Sequence, residues 1–166
     1  PELIHKTNAG AVVLNIRDAT QLRHAAETIR RNLLSRKGLE PQGYLVQRMV
    51  NSGLEVIVGG VRDESFGPVV SFGSGGILVE LLRDVTFRLA PVSRSEAMEM
   101  IRETLASRLL EGFRGESRKD IESLADLLVK ISDIMVRENW IRELDLNPVK
   151  ALDRGYAVVD ARIISA

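Results

Sequence analysis

Polar and apolar residues alternate most strictly near the end of this chain, where Arg142–Pro148 reads RELDLNP. Glu143, Asp145 and Asn147 recur at every second position. Side chains alternate across a β-strand, so these three would share one face while Leu144 and Leu146 point into a core. Pro148 lacks the N–H that further pairing needs and is expected to end the run. Asp153-Arg154-Gly155 reads as a turn and Tyr156–Asp160 as a second strand; hairpin pairing would bring Asp160 to the acidic face. Runs rich in β-branched residues predict further strands at Gly10–Ile16, Tyr44–Val50, Leu54–Val61, Val69–Phe72 and Val85–Leu89, with Arg62–Pro68 as a hairpin connection. A helical period replaces the strand period in three places. Asp18 and Gln21 have capping-box spacing ahead of Leu22, Ala26, Ile29 and Leu33. Ser93 and Glu96 open a helix expected to run to about Leu110. Ile121, Leu124, Leu128, Ile131 and Met135 form one apolar stripe in a helix over Lys119–Glu138. Strands outnumber helices and several are hairpin-joined, which predicts an α+β fold: an antiparallel-rich sheet flanked by helices.

Composition narrows the function classes. The chain has 166 residues, 45% hydrophobic and 28% charged, suiting one soluble globular domain. Its 23 Lys plus Arg balance 23 Asp plus Glu, so no net field favours nucleic acid or an anionic membrane. Cysteine is absent, which excludes disulfides, a thiolate nucleophile and cysteine-ligated zinc. No apolar run approaches the roughly 18 residues of a membrane helix, so a cytoplasmic location is expected. The chain opens at Pro1 in strand-like sequence, which hints at a piece of something longer.

The acidic strand face is the first candidate for chemistry. Carboxylates and an amide oxygen together resemble a hard-cation site, since Mg²⁺ takes oxygen ligands and leaves several positions to phosphate and water. An exposed polar face is the plain alternative. His5, just before a strand, can act as a base, a ligand or a phosphate acceptor, or be a solvated loop histidine. His24 lies off its helix's apolar stripe and reads as surface. Gly73-Ser74-Gly75-Gly76 fits either an anion cradle or a bulge or tight turn. Arg88, amid apolar neighbours, either pairs with a carboxylate or faces a phosphate. Glu55 and Glu80 stand in apolar runs and need a partner or an open cleft.

The segments IHKTNAG (4–10), GYLVQRMV (43–50), EVIVGGVRDESFGPVVSFGSGGILVELLRDVTFRLAP (55–91), ELDLNP (143–148) and VVDAR (158–162) together resemble the ATP-grasp part of the nucleoside-diphosphate-forming acyl-CoA synthetases, relatives of succinyl-CoA synthetase. The resemblance covers almost the whole chain and implies an ATP-grasp subdomain over residues 1–166. It also implies that the upstream half, with its phosphate-clamping lysine, is lacking. Such enzymes convert acyl-CoA, ADP and phosphate to acid, CoA and ATP through phosphohistidine. By resemblance, His5 is a phosphate carrier and Asn147 and Asp160 are Mg²⁺ ligands. Asp145 supports the phosphohistidine, with Glu143 able to substitute, and Gln47, Arg48, Met49 and Val50 hold adenine. Arg88 joins the cofactor-binding candidates. Asn8 and Ala11 depart from the family's usual aspartate and glycine. The implied cofactors are Mg²⁺ and ATP or ADP. The implied partners are nucleotide and the CoA-binding and ligase domains or subunit, in an oligomeric enzyme. The isolated chain is then expected to be inactive. The alternative is a non-catalytic regulatory module of the kind fused to lysine acetyltransferases.

Overall fold

The computed structural model describes residues 10–76 and 83–165, and the chain divides into two compact units, Pro1–Met49 and Val50–Ala166. His5 and Glu80 lie outside the described residues.

The first unit is built on helix α1, Ala19–Lys37. Asp18 caps it as the spacing predicts, its carboxylate accepting from the Gln21 N–H at 2.8 Å. Gly38 ends it in the left-handed conformation, φ 65°, which glycine adopts without steric penalty. Ala25 and Leu33 are buried, whereas Leu22, expected on the buried stripe, is exposed. The two strands expected here are absent: neither 11–16 nor 44–50 has regular structure. Strand propensity expresses fit to a paired, half-buried surface, and no strand forms among the described residues of this unit to supply a partner. Leu45 is 81% exposed.

The second unit is a sheet covered on one face by helices. Its strands are β1 (Leu54–Asp63), β2 (Gly67–Ser74), β3 (Val85–Leu89), β4 (Ile141–Ala151), β5 (Tyr156–Val158) and β6 (Ala161–Ser165). They run in the order β3-β2-β1-β4-β5, with β6 also pairing β4, and every pairing is antiparallel. The Asp63 carboxylate accepts from the Ser65 and Phe66 N–H groups at 2.8 and 2.9 Å and so fixes the β1–β2 turn.

Three helices follow the same logic. Ser93 and Glu96 form the predicted reciprocal box at the start of α2, Arg94–Glu103. The helix expected to continue to Leu110 breaks at Thr104, which is extended. The Asp84 carboxylate then accepts from the Leu105 and Ala106 N–H groups at 2.9 and 3.2 Å and starts α3, Ala106–Leu110. Helix α4, Ile121–Arg137, carries the predicted stripe, and all five of its residues are buried. They pack with Val56, Val58, Val70, Phe72, Leu144, Leu146 and Val149 from one side of the sheet. At roughly 1.5–3 kcal/mol for each large buried side chain, this layer holds the unit together. Arg62 donates to the carbonyls of Met135, Glu138 and Ile141 and closes the C-terminal end of α4.

Among the described residues of this unit the helices lie on one face of the sheet, and the other, here called the open face, carries the remaining parity of each strand. That open face carries the acidic residues.

Candidate functional site on the open face of the sheet

β4 is the strand that organises the site. Leu144 and Leu146 are buried toward the helices, so Glu143 and Asp145 lie on the open face, as alternation predicts. Pro148 does not end the strand. Val56 pairs Val149 and Val58 pairs Leu146, so β4 carries one residue more than β1 over this interval. Asn147 and Pro148 therefore form a bulge, and β4 continues to Ala151. A bulge absorbs a residue that cannot donate to the ladder and re-aims its neighbour. Here the neighbour is Asn147, which is exposed.

Asp160 meets Asn147 from the other side. β5 stops at Val158 and β6 begins at Ala161, leaving Asp160 in the break between them. The Asn147 N–H donates to the Asp160 carbonyl at 3.1 Å, and the Val159 N–H to the Pro148 carbonyl at 3.0 Å. The predicted hairpin thus brings Asn147 and Asp160 together. β6, which the sequence reading left out, pairs Arg162 with Asp145 and Ile164 with Glu143. Arg162 therefore lies on the Asp145 face, and Asp160, just ahead of β6, is near enough to act on the Asp145 carboxyl.

The electrostatics agree with this grouping. Burial pushes the Asp145 carboxyl above the usual carboxylate range. The nearby Arg162 guanidinium opposes that shift, while the Glu143 and Asp160 carboxylates reinforce it. Arg162 forms an ion pair with Glu143. The Asp145 carboxylate and the Asn147 side-chain amide make no hydrogen bond among the described residues. One Asp160 carboxylate oxygen accepts from the Ala161 N–H at 3.1 Å.

The donor set is all oxygen, which fits a hard cation such as Mg²⁺. Among the described residues no three His, Cys, Asp or Glu side chains are arranged to hold a metal ion. The protein would therefore give few ligands and leave the rest to phosphate and water.

Other candidates lie elsewhere. Arg88 has the parity of Val70 and points to the helix side, where it pairs with Glu103 of α2. Of its two readings the structure shows the carboxylate partner, and Arg88 is not brought to the acidic face. Glu55 finds its partner in Lys150, 2.9 Å away on the neighbouring strand. The glycine cluster is explained by packing. A Cβ at Gly73 would come 2.6 Å from the Asp84 carbonyl, and one at Gly75 2.6 Å from the Glu55 backbone. Gln47, Arg48 and Met49 are exposed in the first unit, Val50 half-buried at the start of the second. His24 is exposed, as read from its helix face.

The sequence pattern of the ATP-grasp domain matches residues 1–164. The chain belongs to the ATP-grasp family. Across 99% of its length this ATP-grasp chain is 46% identical to acetate–CoA ligase [ADP-forming] I of Archaeoglobus fulgidus, of which it spans 24%. It is 45% identical to the beta subunit of acetate–CoA ligase [ADP-forming] I of Pyrococcus furiosus, of which it spans 71%. Among solved structures it superimposes with a TM-score of 0.86, at 44% identity, on acetyl-coenzyme A synthetase 1 of Ca. Korarchaeum cryptofilum. That comparison covers 100% of this chain and 73% of the other. The Korarchaeum protein was solved with coenzyme A and Mg-AMPPCP, its phosphohistidine segment pointing towards the nucleotide-binding site. The ATP-grasp chain is thus homologous to ADP-forming acid–CoA ligases. No helix among its described residues is long and apolar enough to cross a membrane.

Proposed function

We propose that this chain is the nucleotide- and Mg²⁺-binding part of an ADP-forming acyl-CoA synthetase. The whole reaction would convert acyl-CoA, ADP and phosphate to acid, CoA and ATP through phosphohistidine. One observation supports the reading: the Asn147 N–H bonds to the Asp160 carbonyl beside a bulge, and the Asp160 carboxylate acts on the half-buried Asp145 of the same strand segment.

In this reading Asn147 and Asp160 hold the divalent ion, which neutralises charge on the phosphates during transfer. Asp145 accepts a hydrogen bond from the N–H of an imidazole and so points its other nitrogen at phosphorus. Glu143 holds Arg162, which tempers the charge on Asp145. His5 is the carrier imidazole and Gln47–Val50 hold adenine. The CoA-binding and acyl-transfer chemistry would belong to other domains or a partner subunit, so the chain alone would not turn over.

The test is phosphorylation by γ-labelled ATP in the full-length protein with its ligase part. An acid-labile label should form and map by peptide analysis to His5, and His5→Ala should remove it. A wild-type protein that carries no label at His5 rejects the assignment.

A further inference from the structure

The loop that joins α3 to α4 breaks a local rule. The Glu116 N–H donates to the Phe113 carbonyl at 3.1 Å, closing a tight turn with Arg114 and Gly115 at its centre. Both central residues have positive φ, 52° and 93°. That is the pattern of a type I′ turn, whose first central place normally falls to Asn, Asp or Gly. Arginine is strained there, because its Cβ crowds the backbone where glycine has none. A backbone outlier of this kind is a reason to look for function.

Nothing among the described residues of this unit offsets the strain. Phe113 is 51% exposed, and the Arg114 guanidinium lies over its ring, 5.2 Å from the centroid. This is a cation–π contact at the surface, and Arg114 has no ion pair among the described residues. The loop is nonetheless held firmly at its base. The Lys119 N–H donates to the Leu110 carbonyl at 2.8 Å. The Ser117 hydroxyl and the Lys119 ammonium both reach the Asp153 carboxylate, at 2.7 and 2.8 Å. These bonds stitch the loop to the β4–β5 turn and set Arg118 and Arg154 on either side of the link. Both are exposed and neither has an ion pair among the described residues. Glu111 and Glu116, the carboxylates next to the turn, are exposed and unpaired as well. On the outer surface of the helices the arginines are already engaged, Arg94 with Glu122 and Asp126 and Arg88 with Glu103.

Residues 113–118 are all exposed, so the turn projects, whereas small ligands sit in hollows. An aromatic ring flanked by arginines is the chemistry that protein interfaces concentrate at their centres. A preformed turn also lowers the ordering cost of docking. Residues 50–166 carry 15 Lys plus Arg against 19 Asp plus Glu, so a long polyanion such as nucleic acid meets net repulsion. A small acidic surface, by contrast, meets the three arginines alone. The function proposed above assigns acyl transfer to other domains or a partner subunit, so this chain has to be held against them.

We infer that the Phe113–Arg114 turn, with Arg118 and Arg154 beside it, docks this chain into a carboxylate-lined hollow of the ligase part of the same enzyme. This rests on the proposed function and adds the surface through which the two parts meet.

The experiment puts p-benzoylphenylalanine in place of Phe113 in the full-length protein with its ligase part, irradiates it and maps the crosslinked peptides by mass spectrometry. Crosslinks should fall in the ligase part, in peptides carrying Asp or Glu. Arg114→Glu/Arg154→Glu should lower their yield about tenfold and leave Mg-ADP affinity within about twofold of wild type. Arg114→Gly should also lower the yield, yet unfold at an equal or higher urea concentration because the strain is gone. A turn that only joins two helices would keep its crosslinks in both variants. Undiminished yield on charge reversal therefore overturns the inference. So do crosslinks confined to residues 1–166, in the same or a second copy, or to nucleic acid. Crosslinks on the ligase part in a protein that forms no phosphohistidine would reject the proposed function and keep the docking surface. Phosphohistidine without such crosslinks would do the opposite.

Discussion

Replacing Asp120 by alanine should loosen the site from a distance. Asp120 stands before α4, and one carboxylate oxygen accepts from the Ser123 N–H at 3.1 Å. The other accepts from the Gly155 N–H at 2.7 Å, in the turn that joins β4 to β5. Its own N–H donates to the Leu152 carbonyl at 2.8 Å. One side chain therefore ties the helix to the turn that sets the β4–β5 register, and that register places Asp160 opposite Asn147. Loss of an N-cap costs about 1 kcal/mol, and a hydrogen bond to an ionised group about 1.5–3 kcal/mol. Allowing for overlap, Asp120→Ala should lose about 3 kcal/mol. With a urea slope of about 1.5 kcal/mol/M, the unfolding midpoint falls by about 2 M. Asp120→Asn keeps a capping oxygen without the charge and should fall between alanine and wild type. The Gly155 and Ser123 N–H groups hold the Asp120 carboxyl below the usual carboxylate range. A depressed folded value stabilises above the unfolded value of about 3.9 and is lost as pH falls through the folded one. The gap between wild type and Asp120→Ala should thus be constant near neutrality and close only in acid. A gap below about 0.5 kcal/mol, or one that closes near pH 7, refutes the reasoning.

Leu128→Ala, at a fully buried position of the α4 stripe, should cost about 2–5 kcal/mol in the same urea titration. Asp145→Asn should raise the unfolding midpoint at pH 7 while abolishing phosphoryl transfer. Burial raises the Asp145 carboxyl above its ordinary range, so between the unfolded value and the raised one the folded state holds a proton that the unfolded state has released, and above both values the folded state carries the cost of a half-buried charge. Stability contributed by that proton is present at low pH and lost as pH rises through the raised value. The gain from asparagine should therefore vanish below about pH 4.

The parts of this molecule that sequence alone conveys are those set locally. The stripe from Ile121 to Met135 repeats at three and four residues and is buried throughout. The Asp18 and Ser93 caps depend on residues three positions away, and both form. Glu143 and Asp145 share a face because alternation within one strand is enough. What failed depends on partners distant in the chain. Tyr44–Val50 has strand composition but no neighbouring ladder among the described residues. Pro148 looked like a terminus, because a bulge is visible only when β4 is laid against β1. The helix from Ser93 breaks because Asp84, some twenty residues earlier, claims two of its N–H groups. Arg162 meets Asp145 through cross-strand register alone, and Ala161–Ser165, with two adjacent isoleucines, shows no strict alternation to announce β6.

The pairing of Asn147 with Asp160 as a divalent-ion grip is tested most directly by paramagnetic NMR. Mn²⁺ would replace Mg²⁺, with ADP present, in the isotope-labelled full-length protein. Resonances of the Asn147 side-chain amide and of the Asp160 and Ala161 backbone should broaden first, at substoichiometric Mn²⁺, and Asp160→Asn should abolish that selectivity. Broadening centred on another part of the sheet, with Asn147 and Asp160 still sharp, would contradict the account.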